Sequence, residues 1–404
     1  MRLVKRAPIL ALMVASTFWH CATGAQTAAE RLKSNLLKIG QGKGFVYASS
    51  TGYVDWKTPR DDRFRRELGL SPLLYAVEFR YISGTWYAPK TYSENKTNLT
   101  AMVKREYAER RAVPMVTWHL NNPYIPPGWN TAAEFRYRYG VKGYPEKHRW
   151  ILREIVEGSG EPCGDGRVDG KGEQPFPNPR TWFEWCLKDA AEFCRTWKDE
   201  EENQIPVILR PFHECDCDWF WWGSGSASPQ DFIAAFRLMV EVMRRELGTR
   251  NVLFAYSPDR HWDKVGVEGV DGYLCRYPGD DWVELIGFDD YELGKDHANP
   301  KAPVNADKTT AAVIRRAQIV SQVGREHGKI CGLFESGAEN SVDSFYTEMF
   351  KVMTAPGVDF AIATTYNGVC TWPQTLAGKA AMKAFFELPQ VITDRSGTDL
   401  TACR

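Results

Sequence analysis

Ile205-Pro-Val-Ile-Leu209 is a short apolar run; Arg210-Pro-Phe-His-Glu214 follows it, then the patterned text Ser228 to Gly248, then a second apolar run, Val252-Leu-Phe-Ala-Tyr256. The first and last pieces are apolar on both faces, as expected of strands in a parallel sheet covered on both sides. Between them, Phe232, Ala235, Phe236, Met239, Val240, Met243 and Leu247 recur at three- and four-residue spacing. Ser228 is placed to cap a helix, Pro229 to open it and Gly248 to stop it. The stretch therefore reads as strand, helix, strand.

Working outward, the same alternation recurs along the chain. Apolar runs stand at Phe45–Ser49, Leu73–Phe79, Val113–Trp118, Ile205–Leu209, Val252–Tyr256, Leu285–Phe288, Ile330–Phe334 and Phe360–Thr364. Helical patterns occupy Pro179–Trp197, Thr309–His327, Ser341–Met353 and Leu376–Leu388 as well. Eight strands alternating with helices point to a single (β/α)8 TIM barrel, with a doubly wound sheet as the alternative. In such barrels the chemistry sits where strands end and loops begin at the carboxyl face. The long segment His119–Asn178, rich in Gly, Pro and aromatic residues, is expected to be functional.

The 404 residues hold 51 Lys+Arg against 51 Asp+Glu and lack long runs of one charge. That balance argues against nucleic acid or an anionic membrane surface as the main partner and favours an uncharged one. No repeat or linker divides the chain, so one domain over residues 26–404 is the simplest account, and a monomer is expected. Residues 1–25 read as a signal peptide: Arg2, Lys5 and Arg6 precede the apolar run Ala7–Ala15, and Thr23-Gly24-Ala25 fits a cleavage site before Gln26. The expected location is secreted or periplasmic. A lipid anchor on Cys21 is the rival reading, and no later stretch is apolar enough for a transmembrane span.

Export reinterprets the cysteines. Cys163, Cys186, Cys194, Cys215, Cys217, Cys275, Cys331, Cys370 and Cys403 remain after cleavage, and several are expected to pair in an oxidising compartment. Cys215 or Cys217 is expected to bond Cys163 or Cys275 and so pin the loop after the fourth strand. Cys331, inside an apolar run, is expected to stay a buried thiol. No His-x-x-x-His or paired Cys-x-x-Cys spacing is present, so neither a metal site nor a cofactor is expected.

Two glutamates stand at strand ends on opposite sides of the mouth: Glu214 after the fourth strand and Glu335 after the seventh. Carboxyl groups about 5–5.5 Å apart are what a retaining glycosidase needs. Trp219-Phe220-Trp221-Trp222 follows Glu214 without alternation, which argues for rings exposed to stack on sugar faces rather than for core. Trp118 and His119 close the third strand; Asp289, Asp290 and Tyr291 close the sixth.

With these motifs in view, the chain resembles glycoside hydrolase family 26, the β-mannanase family. The resemblance rests on Arg210-Pro-Phe-His-Glu214, Trp219-Phe-Trp-Trp-Gly223, Trp118-His119, Tyr277-Pro-Gly-Asp280, Gly287-Phe-Asp-Asp-Tyr291 and Glu335. It implies retaining hydrolysis of β-1,4-mannosidic bonds in mannan, glucomannan or galactomannan, with Glu214 as acid/base and Glu335 as nucleophile. Tyr291 is similar to the tyrosine that hydrogen-bonds the nucleophile. His119, His213, Trp118, Trp219, Trp222 and Asp289 resemble residues lining the substrate near the cleaved bond. Where many relatives carry Trp-Arg-Asn after the eighth strand, this chain has Thr365-Tyr366-Asn367, so Tyr366 takes the place of an arginine contact. The alternatives are a β-1,3-xylanase or mixed-linkage β-glucanase and, from another class, a noncatalytic carbohydrate-binding barrel.

Overall fold

Parallel pairing closes eight strands into a cylinder in this computed structural model, which describes residues 26–50, 62–81, 89–124, 150–164, 175–264, 269–294, 309–338, 342–366 and 371–403. The expected signal peptide, Cys370, Asn367 and the loop 295–308 lie outside the described residues, as do 125–149 and 165–174 of the long segment after His119. The strands are β1 (Phe45–Ser50), β2 (Leu74–Glu78), β3 (Val113–Trp118), β4 (Val207–Pro211), β5 (Val252–Tyr256), β6 (Leu285–Asp290), β7 (Ile330–Ser336) and β8 (Phe360–Tyr366). Each pairs with the next, and β1 pairs with both β2 and β8, which closes the ring. A two-residue strand, β9 (Val391–Ile392), pairs with the start of β1. The expected (β/α)8 barrel is the observed architecture.

Strand ends differ from the reading in one informative way. β4 reaches Pro211, β6 reaches Asp290 and β7 reaches Ser336. Arg210, Asp289 and Glu335 are therefore ladder residues rather than loop residues, because ladder hydrogen bonds hold a polar residue as firmly as an apolar one.

Alternation along the strands sorts the apolar residues into two separate cores. Val46, Leu74, Met115, Ile208, Leu253, Leu285, Ile330 and Ile362 form one cluster, joined by Leu32, Leu36 and Ile39 of helix α1 (Ala28–Gln41). Their strand neighbours, such as Tyr47, Val116, Leu209, Phe254, Phe288 and Leu333, join the outer cluster with the surrounding helices. The first cluster is the barrel interior and the second is the interface with the helical ring. Sequence reading missed α1, which precedes β1 and floors the interior. Its signal was a capping box in which Thr27 Oγ1 accepts from Glu30 N and Glu30 accepts from Thr27 N. The helix opening at Pro229, capped by Ser228, ends its α-helical part at Val240 and continues as a π-helical turn, Glu241–Glu246, before Gly248.

Gly287 shows how tightly the interior closes. A Cβ there would meet the Gly332 carbonyl oxygen at 2.3 Å and the Phe334 ring at 2.4 Å. That ring lies across β6 and β7, and the Arg210 guanidinium sits 5.5 Å from its centroid.

Candidate active site

One inward step beyond Ile208, the same strand presents Arg210, which is fully buried. Its Nη2 donates to both carboxylate oxygens of Asp289 at 2.8 and 2.7 Å and to Ser257 Oγ at 3.1 Å. Its Nη1 donates to the Phe334 carbonyl at 3.2 Å and to Glu335 Oε1 at 3.1 Å. Ser257 in turn donates to Asp289 Oδ1 at 2.8 Å. A buried guanidinium with such partners locks two carboxylates that would otherwise repel each other. The sequence reading quoted Arg210 within its motif without giving it a role. The signal available was an arginine at the inward-facing position of an otherwise apolar strand.

Glu335 receives its second hydrogen bond from Tyr291, whose hydroxyl donates to Oε2 at 2.7 Å. Burial, then the Glu335 charge, raises the Tyr291 hydroxyl well above its ordinary range, so it remains a donor. Tyr366 meets Tyr291 edge-on at 5.9 Å, at the end of β8. The nucleophile expected from sequence is thus held from two sides, by Arg210 and Tyr291. His213, grouped by the resemblance with residues lining the substrate, packs between His119 at 4.6 Å and Phe220 at 4.9 Å. Burial, then the charges of His119 and Arg210, lowers its pKa well below the ordinary value and keeps the ring neutral.

Glu214 sits on a sharp backbone turn. Phe212 and Glu214 have φ of +50° and +53°, the left-handed region that non-glycine residues rarely adopt. The Glu214 N–H donates to the Ser257 carbonyl at 2.7 Å, which anchors the turn. Such strain costs on the order of 1–3 kcal/mol per residue and persists where surrounding structure enforces it. Oxygens of Glu214, Asp289 and Glu335 all lie within 4.8 Å of one another. Three carboxyl groups around one guanidinium favour a protonated member. Burial, followed by repulsion from Asp259, Asp289 and Glu335, raises the Glu214 pKa well above its ordinary value, while the Trp219 indole N–H, donating to Oε2 at 2.6 Å, pulls the other way.

The aromatic run is corrected in part. Phe220, Trp221 and Trp222 are all buried, and only Trp219 of the four is half-buried. The segment folds as successive turns, so the alternation argument for a strand does not apply. Trp222 stacks on Phe220 at 4.4 Å and donates to the His213 carbonyl at 2.8 Å; Trp221 donates to the Leu120 carbonyl at 2.9 Å. Trp118 is also buried, against Phe79. Trp118 and Trp222 therefore buttress the mouth and offer no open face to a sugar. Asp290, expected at the rim, pairs instead with Arg316 at 2.9 Å on the outer face of β6, since neighbours on a strand point opposite ways.

Glu78, at the end of β2, was not singled out from sequence, although it is a strand-end carboxylate like the other two. It accepts from the His119 backbone N–H at 3.1 Å, contacts His119 Nδ1, and lies 3.6 Å from Arg80. Burial alone would raise its pKa, but His119 and Arg80 outweigh that and hold it at about 2. This commits His119 Nδ1 to Glu78 and leaves Nε2 as the ring nitrogen free to meet a ligand.

Cysteine pairing is also corrected. Cys163, Cys186, Cys194, Cys215, Cys217, Cys275, Cys331 and Cys403 all carry free thiols. Cys215 is buried in the outer core, whereas Cys217 Sγ faces His261 Nδ1 at 3.2 Å. Both thiols are free, so the expected bonds to Cys163 or Cys275 do not form. Cys331 is a buried thiol 3.5 Å from the Val320 carbonyl.

Comparison with known proteins bears on this geometry. Residues 184–348 match the family described as Glycosyl hydrolase family 26. The chain is 34% identical over 153 residues to a mannan endo-1,4-beta-mannosidase of Bifidobacterium adolescentis, covering 37% of this chain and 14% of that one. It is 32% identical over 237 residues to a mannan endo-1,4-beta-mannosidase of Bacillus subtilis (strain 168), covering 57% and 53%. The chain thus spans about half or less of these curated relatives. Among solved structures, a GH26 beta-mannanase from Bacteroides ovatus superposes with a TM-score of 0.69 at 20% identity, covering 94% of this chain and 98% of that one. At that identity the likeness establishes the barrel fold.

Proposed function

We propose, on the premise that the chain belongs to glycoside hydrolase family 26 through residues 184–348, that it hydrolyses β-1,4-mannosidic bonds with retention of configuration. The single observation that carries the mechanism is the approach of the Glu214 and Glu335 oxygens to within 4.8 Å. Inverting enzymes hold their carboxyl groups about 6.5–9.5 Å apart to admit a water, whereas retaining enzymes need only about 5–5.5 Å.

In the first step Glu335 attacks the anomeric carbon, the bond to the leaving sugar breaks, and Glu214 gives its proton to the departing oxygen. The product on the enzyme is a glycosyl ester. Esterification removes the Glu335 charge and with it one of the repulsions that raise Glu214, so the Glu214 pKa falls. Glu214 then takes a proton from water, which attacks the same carbon and releases Glu335. Arg210 and Tyr291 orient the nucleophile throughout. His119 Nε2, the half-buried ring of Trp219 and Tyr366 are the groups assigned to sugar contact.

A neutral polysaccharide suits the balanced charge of the chain, and no described helix is long and apolar enough to cross a membrane. Export by cleavage after residue 25 belongs to the same reading, as does action as a monomer. A β-glucan substrate is the second reading, favoured by a 37% identity over 126 residues to an Endoglucanase H of Acetivibrio thermocellus. Incubating the protein with mannohexaose and mixed-linkage glucan, and following the product anomer by proton NMR, tests both. β-Configured mannan oligosaccharides as first products are expected; α-configured first products would refute retention, and cleavage of glucan alone would transfer the assignment to the second reading.

A further inference from the structure

Beside the mouth, the loops after β4 and β5 bring together three side chains that the proposed hydrolysis does not use. Cys217 Sγ lies 3.2 Å from His261 Nδ1, and Asp259 Oδ1 contacts the same nitrogen. All three donor atoms fall within 4.8 Å of one another. Cys217 and Asp259 are buried, whereas the His261 side chain is one-third exposed.

This convergence does not suit a nucleophilic triad. Such a device needs sulfur and carboxylate on different ring nitrogens, so that a proton passes through the imidazole. Here both partners face Nδ1. One proton on that nitrogen serves one of them fully and not both. A cation satisfies sulfur, nitrogen and oxygen together. Tetrahedral zinc, with bonds of about 2.0–2.3 Å, sets its donors roughly 3.3–3.6 Å apart, a spacing that small rotations of these side chains reach. The carboxylate bearer is already fixed: the Asp259 N–H donates to Asp216 Oδ1 at 2.7 Å, and Asp259 bridges Asp289 in the sheet. Its neighbour across the site, Trp219, meets the His261 ring edge-on at 5.6 Å.

We propose that Cys217, Asp259 and His261 form a binding site for a borderline-soft divalent cation of the zinc class, with a fourth position left to water on the exposed side of His261. Sulfur and imidazole select such an ion over magnesium or calcium. The site ties the loop after β4 to the loop after β5, the fastening that disulfides were expected to provide. The carboxylate cluster of Glu214, Asp289 and Glu335 is different: it lacks sulfur and already holds the Arg210 guanidinium.

The test is a cobalt(II) titration of the full chain carrying Cys275→Ser and Cys403→Ser, which removes the two exposed thiols among the described residues. A thiolate-to-cobalt charge-transfer band should grow and saturate at one equivalent. Adding Cys217→Ser should abolish the band. His261→Ala, at a partly exposed position that tolerates truncation, should weaken binding by roughly tenfold or more. Zinc at a hundredfold excess over its Kd should raise Tm by about 3 °C in the parent and leave Cys217→Ser unchanged. Absence of the band, its survival in Cys217→Ser, or a zinc-independent Tm in the parent would overturn the site. None of these readouts involves hydrolysis, so the outcome is separate from that of the proposed function.

Discussion

The floor and the mouth of the barrel interior are built on the same strands and obey opposite rules. At the floor, Ile208, Leu253, Leu285 and Ile330 pack with Leu32, Leu36 and Ile39 of α1 into a closed apolar cluster. One or two inward steps further along, the same strands present Arg210, Ser257, Asp289 and, past an irregularity in the β6–β7 register, Glu335. The floor gains stability from burial with no charge to satisfy. The mouth holds three carboxyl groups and a guanidinium out of water, a cost that the proposed chemistry would account for. On the proposed mechanism, stability and catalysis are separated by about two residues of strand, so substitutions on one strand should part cleanly.

The largest effect belongs to the mouth. Glu335→Ala should lower kcat on mannohexaose by roughly 10⁴-fold or more with little change in Tm, because it deletes the proposed nucleophile and relieves a crowded charge. A residual rate within tenfold of the parent would break the assignment. Arg210→Met joins the two regions: it leaves Asp289 and Glu335 without their shared cation and should cost about 3–5 kcal/mol in urea unfolding as well as activity. An Arg210→Met protein as stable as the parent would show that the network is not held together by that guanidinium.

Ile208→Ala is the matching test at the floor, two residues earlier on β4. It should cost about 2–4 kcal/mol through lost burial and the cavity left behind, while kcat stays within a few-fold of the parent. A large kcat loss with stability intact would erase the separation between floor and mouth. The smallest effect concerns proton position. Trp219 donates to Glu214 Oε2 and so favours its charged form against burial and the surrounding carboxylates. Removing that donor with Trp219→Phe should raise the Glu214 pKa further. A group that must be protonated in the first step then stays protonated to higher pH, so the basic limb of kcat/KM should move upward. A downward move would contradict the acid role.

What was legible in the sequence follows from its two periodicities. The eight strand runs and the capped helix at Ser228 were readable because alternation and capping are local, and Glu214 and Glu335 stood out because barrel topology assigns chemistry to strand ends. The family resemblance added roles for Tyr291 and His119 that spacing alone does not carry. Phe220, Trp221 and Trp222 were misread because a run of aromatics has no period to reveal that it folds as turns. Asp289 and Asp290 looked equivalent in the text, yet one meets Arg210 inside and the other Arg316 outside.

The order of the eight strands, the barrel and its two strand-end glutamates were therefore determined by sequence alone, since each depends on neighbours along the chain. Only the tertiary structure decided that Arg210 is shared by Asp289 and Glu335, that Glu78 fixes His119, that Trp118 and Trp222 are buttresses, and that the described thiols are unpaired. Those facts depend on distances between residues up to 125 positions apart in the chain, as between Arg210 and Glu335, and closing the barrel is what brings them within reach of a hydrogen bond.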